Sequence, residues 1–181
     1  MTTIRPFHHN LPDIAPHVYI DETALVIGDV SLGEHVSIWP MTVIRGDVQS
    51  IRVGSRTNIQ DGSVVHVTHD GEFSPGGFAT VIGENVTVGH RAIVHACTVG
   101  DFCLIGMGAI IMDGASVGDY SILGAGSLVP AGKQLEGGYL YVGSPARRVR
   151  ALNDKERAFL AYSAEHYVKL KNAYMHGDAL D

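Results

Sequence analysis

The chain is short of cysteine, of charge and of aromatic residues. It has two cysteines among 181 residues, Cys97 and Cys103, too few for the disulfide framework of small secreted folds. Both read as small buried hydrophobes in a reducing compartment. Charged residues are 18% of the chain, below the usual share of about a quarter. Cations are the scarcer sign, 13 Lys and Arg against 19 Asp and Glu, for a net charge of −6. That balance argues against nucleic acid or anionic lipid as partner, since both demand clustered Lys and Arg. The one basic cluster, Arg147, Arg148 and Arg150, reads as a solvated exit of the chain. No apolar run reaches the ~20 residues that cross a bilayer, and the opening MTTIRPFHHNLP has no apolar signal core. The expected address is the cytoplasm, away from membranes.

Glycine is plentiful instead, at 22 residues, and hydrophobic residues are 45% of the chain. The length suits one domain with a proper core. Aliphatic residues recur every six positions: Ile20, Val26, Leu32, Ile38 and Ile44, then Val53, Ile59 and Val65, then Ile82, Val88 and Val94. The longest run is Val99, Ile105, Ile111, Val117, Leu123 and Val129. Glycine often follows the aliphatic, and something small or branched sits four residues after it, as at Ala24, Thr42, Ser63, Ala92 and Ala109. A period of six is neither a helix face nor a hairpin meander. It predicts an all-β chain wound as a parallel β-helix of triangular coils, each coil three hexapeptides long. Glycine is expected to relieve the corners.

The repeat divides the chain into a lead-in over 1–19, a solenoid over 20–134, and an exit segment with a C-terminal helix over 135–181. The phase breaks at Asp47 to Ile51 and again near 67–80, where VTHDGEFSPGGFAT reads as an extruded loop. Asn153 with Glu156 makes a helix-starting pair, and Leu160, Ala164, Tyr167, Val168 and Lys171 follow at helical spacing, predicting a helix over about 153–175.

Ten histidines are many for this length. His8, His9, His17, His35, His166 and His176 fall in the lead-in, on repeat exteriors or on the tail helix, and read as solvated. His66 and His95 each follow an inward aliphatic, Val65 and Val94, and are 29 residues apart. That separation is one coil of about 18 residues plus about eleven of loop, so the two should stack one coil apart at about 4.8 Å. Two imidazoles at that spacing can converge on one ion. His90 lies on another side of the triangle, because the five residues from it to His95 span roughly 16 Å and turn a corner. In a threefold assembly a neighbour's His90 can meet the first chain's His66 and His95.

The stretches SIWPMTVIRGD, NIQDGSVVH, VGHRAIVH, CLIGMGAIIMDGA and LYVGSPARRVR make the chain resemble the γ-class carbonic anhydrases, in particular their short members. The resemblance covers nearly the whole chain. It implies a left-handed β-helix and a homotrimer, with zinc, or alternatively Fe(II) or Co, at each subunit interface. His66, His90 and His95 match the three metal ligands. It further implies that metal-bound hydroxide, available at neutral pH, attacks CO2 to give bicarbonate and a proton. Gln60 matches the residue that orients hydroxide or CO2. Arg45 and Asp47 match an interface ion pair that keeps neighbouring chains in register, and Asp61 matches a supporting residue. The sequence departs from the family at its two proton-transferring glutamates, whose places are taken by Val48 and His69. Histidine titrates near pH 6.5 and suits a proton shuttle, so His69 is one candidate for that role and Tyr162 on the tail helix another.

Two further readings share the fold. A hexapeptide acyltransferase using an acyl-CoA donor would have a similar GSPA exit and one histidine as general base, but three convergent histidines would be superfluous in it. A non-catalytic metal-binding homologue would keep the site without turnover.

Overall fold

The computed structural model describes residues 3–177. The period of six appears as three ladders of short parallel strands that close a triangular solenoid, and the hexapeptide period fits its left-handed form. On the first face Val26, Ile44, Val65, Val94, Ile111 and Val129 lie in register, one above another. Leu32, Val53, Ile82, Val99, Val117 and Leu135 form the second face in the same way. The third carries Ile20, Ile38, Ile59, Val88, Ile105, Leu123 and Tyr141. The six aliphatics of the first face are wholly buried, as are Ala24, Thr42, Ser63, Ala92 and Ala109 beneath them. The buried hydroxyls are satisfied by the adjacent coil: Thr42 Oγ1 donates to the Gln60 carbonyl at 2.9 Å and Ser63 Oγ to the Gly89 carbonyl at 3.0 Å.

The glycines that follow the aliphatics serve a different purpose from the one expected. A Cβ on Gly54 would stand 2.6 Å from the Gly83 carbonyl carbon, and one on Gly106 would stand 2.4 Å from the Ala125 nitrogen. These positions are glycine because successive coils touch backbone to backbone there. The left-handed torsion falls two residues later, on Arg56, Asn85, Phe102 and Tyr120, with φ between 51° and 61°.

Both interruptions are accommodated at corners. Strand Leu25–Leu32 pairs with Val43–Val53, and the register jumps from Gly28↔Gly46 to Val30↔Ile51, so Asp47 to Ser50 bulge out opposite Asp29. The loop between Val64–His66 and Thr80–Ile82 is closed at its neck by Thr68↔Phe78 and at its tip by Gly71↔Ser74. At the far end Tyr139–Val142 pairs antiparallel with Arg147–Ala151.

One helix, α1 (Asp154–His176), follows. Asn153 and Glu156 cap it reciprocally, and Gly177, with φ 75°, ends it. It lies on the third face: Thr87 Oγ1 and Ser163 Oγ share a hydrogen bond of 2.8 Å, and Trp39 meets Tyr167 and Tyr174 edge-on. Lys171, on the expected apolar stripe, is fully buried, its Nζ donating to Asn172 Oδ1. His35 is not a solvated surface group. It stacks on His17, its Nδ1 is buried, and burial followed by the Lys171 charge holds its pKa below the usual histidine value. Among the described residues no helix is long and apolar enough to cross a membrane.

Candidate metal centre

Because Val65 and Val94 are stacked in register, the residues that follow them are register partners as well: His66 faces His95. Their ring centroids are 5.1 Å apart, and His66 Nδ1 lies 3.1 Å from His95 Nε2. Two nitrogens bound tetrahedrally to one ion at about 2.05 Å stand roughly 3.3 Å apart, so the pair is close to a chelating geometry. The other nitrogen of each ring meets a carboxylate. His66 Nε2 is 3.1 Å from Asp47 Oδ1, and His95 Nδ1 is 2.8 Å from Asp113 Oδ1. An ionised carboxylate only accepts, so the nitrogen facing it carries the proton and the opposite nitrogen is left as a lone-pair donor.

The charges support that assignment. Partial burial would raise the Asp47 carboxyl, but hydrogen bonds from Arg45 and His66 hold it below the ordinary carboxylate value. Asp113 is held low in the same way: burial opposes, and hydrogen bonds from Thr68 and His95 prevail. Burial also keeps the His66 pKa low despite Asp47 beside it, with the Arg45 charge acting in the same direction as burial. Arg45 and Asp47 form an ion pair within the chain, and the same carboxylate reaches His66.

His90 stands elsewhere. With Arg91 it makes the turn between strand Thr87–Val88 and strand Ile93–His95, which is the corner between the third and first faces. His66 and His95 sit at the corner between the first and second. His90 Nδ1 is 2.8 Å from Asp61 Oδ2, one coil below, which leaves Nε2 as its donor. Gln60, nearly buried, gives its Nε2 proton to Asn58 Oδ1 at 3.1 Å. Gln60 and His90 open on a groove of about 410 Å³ beneath α1, whose Phe159, Ser163 and Tyr167 line the opposite wall. One chain therefore carries His66 and His95 on one edge and His90 with Gln60 on another. Among its described residues no group of three or more His, Cys, Asp or Glu is arranged to hold a metal ion.

The two shuttle candidates differ in placement. His69 is exposed on the extruded loop and shares a surface hollow with Thr68 and Asp113, on the edge of the His66–His95 pair. Tyr162 is 63% exposed beside Phe159 and His166 and does not line the groove. Asp113 and Thr68 were missed from the sequence. Asp113 had a signal: it follows His95 by 18 residues, which is one coil. Asp61 and His90 carried another, since they are 29 residues apart, the same separation as His66 and His95.

Comparison with known proteins places the fold. Residues 96–131 match the family described as bacterial transferase hexapeptide (six repeats). Protein YrdA of Escherichia coli strain K12 is 55% identical over 172 residues, covering 95% of this chain and 94% of that one. This chain belongs to the hexapeptide-repeat family. Within reach of this hexapeptide-repeat chain is also the mitochondrial gamma carbonic anhydrase 1 of Arabidopsis thaliana. It is 43% identical over 166 residues, which are 90% of this chain and 59% of that longer protein. A crystal structure described as a putative acetyltransferase of Bacillus cereus superposes with a TM-score of 0.89 at 36% identity, covering 97% of this chain and 98% of that one. Hexapeptide-repeat relatives thus carry names from two reaction classes, and the choice between them has to come from the site.

Proposed function

We propose that the chain is a γ-class carbonic anhydrase-like enzyme that works as a homotrimer and converts CO2 and water to bicarbonate and a proton. One observation carries this reading. Each of the three histidines has one nitrogen turned to a carboxylate, Asp47 for His66, Asp61 for His90 and Asp113 for His95. That is the second-sphere arrangement by which metal-binding imidazoles are oriented. Three neutral nitrogen donors fit zinc, or alternatively Fe(II) or Co. Such an ion, when bound, supplies a Lewis acid that lets water deprotonate near neutral pH.

The chain's own groups do the remaining work. His66 Nδ1 and His95 Nε2 supply two donors, and a neighbouring copy's His90 Nε2 supplies the third. Between the two part-sites, the outward side of the first face shows Val64 and Ile93 beside Met41, all exposed in the single chain. That apolar strip suits contact with a second copy. Gln60 comes with His90. Its Nε2 is engaged by Asn58, so its Oε1 is free to accept a hydrogen bond and orient a reacting water. His69, exposed beside Asp113, would take the released proton to solvent. The test is stopped-flow CO2 hydration on anaerobically purified protein of measured metal content, with His90→Ala beside it. Metal-dependent turnover lost in the variant supports the reading; a fully metallated trimer without turnover refutes it and leaves a non-catalytic metal-binding homologue.

A second reading has its own observation. His90 and Asp61 form a general-base dyad at the mouth of the groove under α1, which suits an acyltransferase taking an acyl-CoA donor. Acyl transfer from acyl-CoA that survives metal removal and is lost in Asp61→Asn would favour it.

A further inference from the structure

We propose that Thr68, at the neck of the extruded loop, is a positioning residue for the metal centre, acting through Asp113 on His95. The inference rests on the metal-centre reading above and adds to it a residue for which neither the hexapeptide period nor the histidine spacing gave any sign.

Thr68 Oγ1 donates to Asp113 Oδ2, while Asp113 Oδ1 accepts from His95 Nδ1 at 2.8 Å. Each carboxylate oxygen therefore has its own partner on a different segment, and the carboxylate plane is set by both. Asp113 belongs to the first turn of a regular coil and is about one-third exposed. Without the hydroxyl, its Oδ2 would turn to water and the carboxylate would swing. His95 would then lose the constraint that keeps its proton on Nδ1 and its lone pair on Nε2, 3.1 Å from His66.

Thr68 is itself held firmly, which long surface loops ordinarily are not. Its N–H and C=O bond the Phe78 backbone at 3.0 and 2.9 Å. Ser74 Oγ donates to the His69 carbonyl at 2.7 Å, and the Gly76 N–H donates to Asp70 Oδ1 at 2.7 Å. Gly77, at φ 66°, passes so close that a Cβ there would stand 2.7 Å from the Thr68 carbonyl oxygen. The loop thus closes on itself and presents one hydroxyl to the carboxylate that orients His95.

The test is Thr68→Val, which keeps the shape and removes the donor, with Thr68→Ser as the conservative return of the hydroxyl. Histidine tautomers are read by long-range 1H–15N correlation on the metal-free, 15N-histidine-labelled protein at mildly alkaline pH, and affinity is then titrated with zinc. The expected result is a His95 that leaves the pure Nδ1–H form in Thr68→Val while His66 and His90 keep their signals. Zinc affinity should fall roughly tenfold, the low end of what outer-sphere partners carry, and Thr68→Ser should restore both readings. Should Thr68→Val not fold, Thr68→Ala takes its place against the same serine variant. An unchanged His95 spectrum, an unchanged zinc affinity, or no recovery with serine would overturn the proposal. If the wild type binds no zinc, the metal-centre reading fails, whereas the tautomer spectra still decide whether Thr68 orients His95.

Discussion

Two stretches of one solenoid behave differently. From Thr98 to Leu140 each coil repeats the last at a constant step, as in Thr98↔Ser116↔Gln134 and Leu104↔Ile122↔Leu140. From Arg45 to His95 the step is broken, once by the bulge at Asp47 and once by the loop that separates His66 from its register partner His95. The regular stretch contributes a single group to the candidate site, Asp113. The broken stretch contributes Arg45, Asp47, Gln60, Asp61, His66, Thr68, His69, His90 and His95. Regular repeats bury aliphatics and build a rod. On the edge between the first and second faces the candidate groups stand beside the two insertions, where extra residues can carry polar groups without disturbing the interior. Gln60, Asp61 and His90, by contrast, occupy uninterrupted coil positions on the other edge.

The sharpest way to test that contrast is to strike each stretch once. His95→Ala should abolish metal-dependent CO2 hydration with little change in melting temperature, as expected of a part-exposed corner residue. Ile111→Ala, one coil further on the same face and wholly buried, should cost about 2–5 kcal/mol of stability and leave the metal content of the folded fraction intact. Metal analysis beside thermal unfolding reads both, and a reversed pattern would erase the distinction.

A smaller effect separates backbone from loop. Gly106→Ala forces a Cβ to 2.4 Å from the Ala125 backbone nitrogen, and should destabilise by roughly 1–3 kcal/mol as an overpacked position. Shortening the loop tip between Asp70 and Gly76 should change stability by about 0.6 kcal/mol or less on closure entropy alone. Urea midpoints compare the two.

The smallest effect is in pH. Asp113 has its folded pKa below the ordinary carboxylate value, because hydrogen bonds from Thr68 and His95 outweigh the opposing effect of burial. Its contribution is therefore full above its unfolded pKa of about 3.9 and is lost as pH falls through the folded value. The melting temperature of wild type should exceed that of Asp113→Asn at neutral pH, with the gap closing in the acid range. A gap independent of pH would mean that Asp113 acts through shape alone.

Much of this was legible in the sequence. The period of six gave the faces, and its interruption gave the register of His66 with His95, because subtracting one coil leaves the length of the loop. What escaped depends on how elements rotate against one another. The stripe on α1 predicted a buried face, but the rotation that lays Phe159, Ser163 and Tyr167 along the groove and leaves Tyr162 outside follows from packing on the third face. His35 looked like an exterior position until α1 brought Lys171 beside it. Glycine does relieve corners, as at Gly108 and Gly126 with φ 67° and 66°, but at the glycines that follow the aliphatics it is close stacking of coils that excludes a side chain. Asp113 stands at a turn of a regular coil, and only its 18-residue step from His95 marks it out.

The measurement that bears most directly on the shared site is metal content in mixed trimers of His66→Ala and His90→Ala chains, unfolded together, refolded and separated by differential tags. Each variant alone should hold no complete site. A mixed trimer of either composition should hold one, since only one of its interfaces joins an intact His66–His95 pair to an intact neighbouring His90. One tightly bound ion per mixed trimer, with activity recovered in proportion, is the predicted result. Mixed trimers as empty as the parents would contradict the account and place the three histidines in service of something other than a common ion.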